Sequence, residues 1–417
     1  VAFGLTLLYV TLNFLSIADT FPDLADYRIQ LIIGILAVIA TLPALLFTRE
    51  VRPGRQAALM AGFTGWVLVS SLPHGGFGGL LVALQNSTQL AAVFFLTALN
   101  VRSVKQLKIL RLCLLAVTLY LLGRGLYDYM WNPNHSAFVF VRGGGAAGLS
   151  WRLQALGLLH DPNAFAQYLL AILPLLFVGA VGRGWRARIL VLLPGSALVL
   201  AGLWCTHSRG GLVGLAVLVG LLARRRLTVF GGALASAAVA TLMLVLGYTG
   251  GRYGDDRLNI WSDGLGMFKS SPIWGVGYQR YTYFSDKTAH NSFLLCAVEL
   301  GLIGCFLWVG VILVSLWELR LVADVTSTRD SDEELRAWAN AVLLSLVAFL
   351  VPGWFLSETY ATMLYLLLGM SAAIARLEIE RTGTELLPAV NHWALKTALV
   401  CVASMTLVYV MVRSRVF

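Results

Sequence analysis

The chain has 417 residues, of which 58% are hydrophobic and only 12% charged, with a formal net charge of +10. Soluble domains carry about 25% charged residues, and a mean hydropathy of +0.78 excludes an ordinary water-soluble enzyme. The positive charge does not indicate nucleic acid, because the basic residues sit in short stretches between apolar runs, where orientation in a membrane accounts for them.

Apolar runs long enough to cross a bilayer, or nearly so, occur at 1–17, 31–47, 57–72, 80–99, 108–123, 162–181, 188–205, 211–223, 227–248, 292–316, 338–356, 359–375 and 397–412. The pattern predicts an all-α polytopic membrane protein of about 12–13 transmembrane helices, forming a single integral-membrane domain over 1–417. The run at 211–223 is the shortest. The first run begins at Val1 rather than Met. A trimmed start is expected, and the many spans that follow argue against a cleaved leader. Ser331 and Glu334 form a capping-box pattern ahead of the eleventh run. The five cysteines lie in or beside apolar runs with no C-x-x-C pair, so they read as small buried hydrophobes rather than disulfide or zinc ligands.

Alternation of sides sorts the connecting segments into two sets. The segments 48–55, 100–111, 182–188, 224–226, 317–337 and 376–396 hold nineteen lysines and arginines; 18–30, 73–79, 206–210 and 357–358 hold only Arg28 and Arg209. That asymmetry assigns the first set to the cytoplasm. The second set then faces outward, together with two long loops at 124–161 and 249–291. Five of the six histidines (His74, His135, His160, His207, His290) are on the outward side, as are Arg142, Arg152, Arg209, Arg252, Arg257 and Arg280. Arginines outside run against the insertion bias. Singly they read equally as snorkelling anchors or as ligand contacts; as a set they favour an anionic, phosphate-bearing ligand.

Four outward clusters carry candidate chemistry. In His160-Asp161-Pro162-Asn163, Asp161 and Pro162 suit an N-cap and a first helical position; the functional alternative has Arg152 and Asn163 hydrogen-bonding a polar ligand at the helix mouth. In Thr206-His207-Ser208-Arg209-Gly210-Gly211, the glycines permit a tight turn, Ser208 caps the next span, and Arg209 faces any anion bound at that N-terminus. Between 257 and 269, Leu258, Trp261, Leu265 and Phe268 recur at spacings of three, four and three, which predicts a short amphipathic helix on the bilayer surface. In Ala289-His290-Asn291-Ser292, the histidine stands at a helix N-terminus. There the macrodipole disfavours imidazolium and suits a general base, although Asp286 opposes the effect. Glu299 falls nine residues on, toward the opposite helix face, and reads as a buried structural acid. Trp261, Arg280 and Asn291 join the ligand-contact candidates. Ser271–Tyr281 holds two glycines but no G-x-G-x-x-G pattern after a strand, so nucleotide binding is rejected.

The stretches THSRGG, RLNIWSDGLGMFKSSPIWGVGY and TAHNSFLLCAVELGLIG, preceded by RLQALGLLHDPNAFA, resemble the O-antigen ligase and polymerase superfamily over about 150–310. The resemblance implies a C-type glycosyltransferase-like helical bundle with two long periplasmic loops, in the inner membrane and with its site facing the periplasm. It implies transfer of O-antigen from an undecaprenyl-pyrophosphate donor to a sugar hydroxyl of lipid A–core, in lipopolysaccharide biosynthesis. No cofactor, metal or nucleic acid takes part, and membrane lipids are the remaining partners. The family's essential histidine maps onto His290, which would activate the acceptor hydroxyl, and its arginines onto Arg209 and Arg257, which would hold the pyrophosphate. The same resemblance leaves an O-antigen polymerase as an alternative. Such polymerases carry an Arg, ten residues, then Gly in two outer loops. Here only Arg209 and Gly220 show that spacing on the outward side, and Gly220 is in a span. A protein O-oligosaccharyltransferase would be expected to add a C-terminal domain. A transporter of lipid-linked glycans would place ionisable residues near the midplane, whereas here they cluster at one face.

Reporter fusions test the topology. Those in 48–55, 182–188 and 317–337 should read cytoplasmic, and those in 124–161 and 249–291 external; a cytoplasmic signal from 249–291 would refute the assignment.

Overall fold

A computed structural model describes residues 1–47, 54–142, 150–178, 184–224, 231, 233, 253–324, 330–383 and 392–414. In chain order the elements are α1 (Ala2–Leu15), α2 (Ile17–Thr20), α3 (Ile29–Phe47), α4 (Arg55–Asn100), α5 (Val104–Trp131), strands β1 (Val139–Arg142) and β2 (Ser150–Leu153), α6 (Pro162–Val178), α7 (Trp185–Cys205), α8 (Arg209–Arg224), α9 (Tyr253–Ser270), α10 (Ser292–Asp324), α11 (Asp330–Gly353), α12 (Thr362–Thr382) and α13 (Trp393–Ser414). Every expected span lies on one of these helices except the ninth, 227–248, which falls almost wholly outside the described residues. Among the described residues, six helices are long and apolar enough to cross a membrane, and four more apolar helices are shorter. Apolar side chains face outward along several of them, for example Leu31, Ile32, Ile35 and Ile39 on α3 and Leu395, Leu399 and Val402 on α13. A surface of that kind needs lipid around it, and the protein is a multi-pass membrane protein.

Four local features differ from the sequence reading. The third and fourth spans form one 46-residue element, α4, kinked at Gly76 (φ 55°, ψ −143°) where a loop over 73–79 was expected. A straight helix of that length would run about 69 Å, over twice the hydrocarbon core. The outward loop 124–161 contains a small antiparallel hairpin, with Phe140 opposite Arg152; four-residue strands are too short for an alternating pattern to stand out. Helix α11 already runs at Asp330, so Ser331 sits inside it rather than ahead of it. The apolar face of α9 is covered by protein, not bilayer: Leu258, Trp261 and Leu265 share a buried cluster with Leu294 and Val298 of α10 and Val408 of α13.

The chain divides into two compact units. The first comprises Val1–Glu50, Leu96–Thr249 and Val322–Pro352. Its centre is α6, buried on nearly every side as an apolar helix must be when other helices surround it; α7 and α8 pack against it. Close approach depends on small residues. A methyl group added at Gly214 would stand 2.7 Å from Leu170 and 2.8 Å from Pro352. Asn100 donates to the hydroxyls of Thr6 (2.9 Å) and Thr41 (2.8 Å), a buried polar tie among apolar helices.

The second unit comprises Val51–Phe95, Gly250–Leu321 and Gly353–Phe417. Its central feature is a break in α10 at Gly301 (φ 66°, ψ −168°). The carbonyls of Val298 and Glu299 accept from the N–H groups of Val276 (2.8 Å) and Gly277 (3.0 Å), Leu302 N donates to Pro272 O at 2.8 Å, and Trp66 Nε1 donates to Leu300 O at 2.8 Å. The segment after α9 thus supplies hydrogen bonds to the helix from outside it. Glu299 is the buried structural acid that its spacing suggested. Its carboxylate accepts from Gln279 N (3.1 Å), Tyr281 N (3.0 Å) and the Tyr360 hydroxyl (2.8 Å).

Within each unit, polar contacts join segments of one predicted side. Lys108 pairs with Glu334 at 2.6 Å within the basic set, and Gln56, the residue after the basic segment 48–55, donates to Glu318 of that set at 2.6 Å. Arg280 donates to His74 O and Thr288 to Ser357, each within the outward set. These pairings favour the parity of the assignment on both sides of the short eighth span.

Gly301→Ala should destabilise the protein by about 2 kcal/mol or more, because the new methyl would lie 2.0 Å from Ile273 O at a left-handed φ. Gly266→Ala, with open space at its Cβ position, should be neutral or slightly stabilising. Thermal unfolding of the detergent-solubilised variants, side by side, tests this.

Candidate functional site

The nine candidate residues divide between the two units: Arg152, Asn163, Ser208 and Arg209 in the first, Arg257, Trp261, Arg280, His290 and Asn291 in the second.

In the first unit the hairpin delivers Arg152 to the turn between α7 and α8. Its Nε donates to Thr206 O at 2.9 Å and its Nη2 to Asn163 Oδ1 at 2.9 Å. Asn163 stands in the first turn of α6, whose N-cap is Asp161: the carboxylate accepts from Asn163 N (2.8 Å) and Ala164 N (3.0 Å). The capping of α6 is therefore present, and Arg152 and Asn163 bond one another. Ser208 caps α8 by accepting from Gly211 N at 3.2 Å and is fully buried. Arg209 is the first residue of α8 and is exposed, so a side chain with up to five donors sits beside the helix's unsatisfied N–H groups.

His207 adopts a left-handed φ of 49°, and its Nε2 lies 3.3 Å from the Tyr129 hydroxyl. Desolvation, and after it the Arg152 charge, hold its imidazole below the ordinary histidine value. The neutral form is thereby favoured beside a fixed cation.

In the second unit His290 stands at the mouth of α10, half-buried, with φ 48°. A left-handed conformation is strained for any residue with a Cβ and persists only where surrounding contacts impose it. Those contacts are on both sides. The backbone N–H of His290 donates to Ser357 Oγ at 2.8 Å, and Ser357 also accepts from Thr288 Oγ1 at 2.8 Å. Trp261 Nε1 donates to the carbonyl of Ala289 at 2.8 Å. With no exposed surface, Trp261 has no face to offer a ligand and instead holds the peptide before His290. Asn291 is likewise buried and acts as the N-cap of α10, accepting from Phe293 N (3.0 Å) and Leu294 N (2.9 Å). Arg257, half-buried, lies one helical turn before Trp261 on the same face of α9. Arg280 donates to His74 O and its guanidinium lies 5.2 Å from the Tyr283 ring centre. Of the outward arginines, Arg252 and the side chain of Arg142 lie outside the described residues.

The segment before α12 went unnoticed in the sequence. Besides Ser357, the N–H of Glu358 donates to Ser292 Oγ (2.9 Å), Ser292 Oγ to Leu356 O (2.7 Å), and Thr359 Oγ1 to Ser292 O (2.7 Å). The signal was a polar run, Ser357-Glu358-Thr359-Tyr360, between two apolar spans on the outward side. Among the described residues, no group of three or more His, Cys, Asp or Glu is placed to hold a metal ion.

The fold is that of a multi-pass, predominantly helical membrane protein, and Asn163, Ser208 and Arg209 in the first unit and His290 and Asn291 in the second stand at the N-terminal mouths of helices. A family model described as O-antigen ligase matches residues 194–309, from within α7 through the first half of α10, and that stretch is similar to the family. The match supports ligase-type chemistry on a glycan substrate in a membrane setting. It takes in Ser208, Arg209, Arg257, Trp261, Arg280, His290 and Asn291 and stops short of Arg152 and Asn163. No curated protein matches the chain.

A histidine with a depressed pKa stays neutral where its unfolded counterpart already takes up protons, so the His207 turn should lose stability as pH falls below about 6.5. Arg152→Gln should raise the His207 pKa without restoring the ordinary value, because desolvation is the larger cause. Titration followed by histidine NMR measures this, and an unmoved His207 would refute the coupling.

Proposed function

We propose that this protein transfers O-antigen polysaccharide from undecaprenyl pyrophosphate to a sugar hydroxyl of lipid A–core at the periplasmic face of the inner membrane, without metal or cofactor. The observation that carries the reading is the ligase-family segment itself, which contains Arg209, Arg257 and His290, with His290 held in a left-handed conformation between Ser357 and the Trp261-bound Ala289.

In this scheme His290 takes the proton of the acceptor hydroxyl as that oxygen bonds to the anomeric carbon of the donor. The bond from the anomeric carbon to the pyrophosphate oxygen breaks, and its electron pair leaves with the pyrophosphate. Charge develops on the leaving group, so the arginines matter more than a strong acid. Arg209, at the N-terminus of α8, and Arg257, on α9, take that role. Arg152, Asn163, Ser208, Arg280 and Asn291 keep the helix mouths in shape around the ligands, and Trp261 fixes the peptide before the base. A donor carried on a membrane lipid accounts for a base and an arginine, His290 and Arg209, standing at the ends of membrane helices rather than in a soluble domain.

His290→Ala should still insert and bind donor, with the single-turnover transfer rate reduced on the order of a hundred- to ten-thousandfold. Arg209→Ala and Arg257→Ala should weaken donor-analogue binding as well as rate. Lysine at either position should rescue in part, since it keeps the charge but not the planar fork. Transfer by purified protein should survive EDTA. An unaltered rate in His290→Ala, or loss with EDTA that zinc or magnesium restores, would refute the scheme. In a gene knockout, loss of the whole long-chain lipopolysaccharide ladder fits a ligase, whereas a single repeat on the core would indicate a polymerase.

A further inference from the structure

Beside the loop that carries His290, the second unit contains an open cleft of about 500 Å³, between α9 and residues 282–287. Its size is that of an ordinary small-ligand site, about 300–1,000 Å³. Its walls are fixed without a ligand. Tyr281, at the root of the loop, is buried and donates through its hydroxyl to Ile260 O on α9 at 2.7 Å. Trp261, the next residue of α9, donates to Ala289 O just past the loop's other end. Two buried aromatic side chains therefore pin loop and helix together on either side of the cleft.

The lining has an unusual composition. Tyr283 and Phe284 are 74% and 58% exposed, while Asn259 and Asp263 from α9 and Thr282 and Asp286 from the loop contribute an amide, a hydroxyl and two carboxylates. A wholly apolar ligand would strand the carboxylates, and with two carboxylates against one ammonium, Lys287, the lining carries no excess of positive charge to draw in a phosphate. A sugar ring meets both demands. Its C–H face rests on the negative face of an aromatic ring, and its hydroxyls donate to carboxylate oxygens, which only accept. Lys287, at the end of the cleft, is three residues before His290. At most about 11 Å of chain separates them, within the reach of a single glycan.

The geometry points to this cleft as a binding subsite for an uncharged pyranose ring of the glycan substrate, stacked on Tyr283 and Phe284 and held through its hydroxyls by Asp263 and Asp286. The assignment rests on the reading of His290 as the transfer site. The ring belongs either to the acceptor or to the sugar chain of the donor. The competing explanation of the exposed aromatics is anchoring at the membrane interface.

The test uses full-length protein in lipid nanodiscs, with Tyr283→Ala/Phe284→Ala and Asp263→Asn/Asp286→Asn as double variants. The probe is methyl α-glucopyranoside, with its anionic uronic-acid counterpart as control, observed by saturation-transfer NMR. Wild-type protein should give signals with the neutral glycoside and not with the uronate, and both variants should lose most of that signal. In steady-state transfer, KM should rise on the order of tenfold for one reactant, with kcat within about threefold. Whether donor or acceptor KM moves identifies the source of the ring. Absence of a wild-type glycoside signal would overturn the subsite, as would unchanged glycoside binding in both variants. So would poorer nanodisc incorporation of the aromatic variant with both KM values unchanged, which assigns Tyr283 and Phe284 to the membrane. His290→Ala keeps the two readings separable. If it transfers normally the transfer-site reading fails, while the glycoside signals still decide the cleft.

Discussion

A backbone polar group inside a membrane protein must find its partner within the protein, and the break at Gly301 is where that constraint shapes the second unit. Where α10 kinks at Gly301, the carbonyls of Val298, Glu299 and Leu300 take donors from outside the helix. Val276, Gly277 and Trp66 are those donors, and Leu302 turns its N–H to Pro272. The exchange requires backbone to approach backbone, and Gly275 and Gly301 are the positions where a side chain would block it. The helix break therefore dictates the path of the chain after α9. Glu299 extends the same logic by accepting from Gln279 and Tyr281. By the time the chain reaches His290 its course has been set by hydrogen bonds to a helix that begins only two residues later.

Helix mouths are the second recurring device. Asp161, Ser208 and Asn291 cap α6, α8 and α10. Beside each cap stands a residue of the proposed chemistry: Asn163, Arg209 and His290. A cap answers some of the unpaired N–H groups and leaves the positive end of the helix in place, so the same local structure that starts a helix prepares the ground for an anion. His207 and His290 share a further property, a left-handed backbone conformation immediately ahead of the capping residue. In both cases the chain turns sharply into a helix.

Much of this was legible in the chain. The spans follow from apolar runs, because burial in lipid is set by composition over some twenty residues. The caps follow from residue type at a boundary. The role of Glu299 was inferred from its angular offset from His290, whereas the direct bond between Arg152 and Asn163 was not foreseen, since the sequence suggested only that both could meet a ligand. Trp261 was less legible: its i, i+3 and i+4 neighbours correctly announced an amphipathic helix, but periodicity cannot say whether the apolar face meets lipid or protein. The hairpin and the Ser357 segment were missed because neither leaves a periodic trace.

By itself the sequence determined what depends on near neighbours: which stretches are helices, and that Asp161, Ser208 and a residue beside His290 stand where helices begin. Hydropathy, capping and charge bias all act over a turn or a span, so they are written locally. The tertiary structure alone decided the strained backbone of His290, the covering of α9 by α10 and α13, and the two pins at Tyr281 and Trp261. Each depends on a partner distant in the chain. The hydroxyl that accepts from His290 is 67 residues away in Ser357, and the carbonyl that Trp261 reaches is 28 residues on. Such partners are chosen by how the helices pack, because a hydrogen bond formed away from water requires both groups to be brought together and leaves no mark on the residues between them.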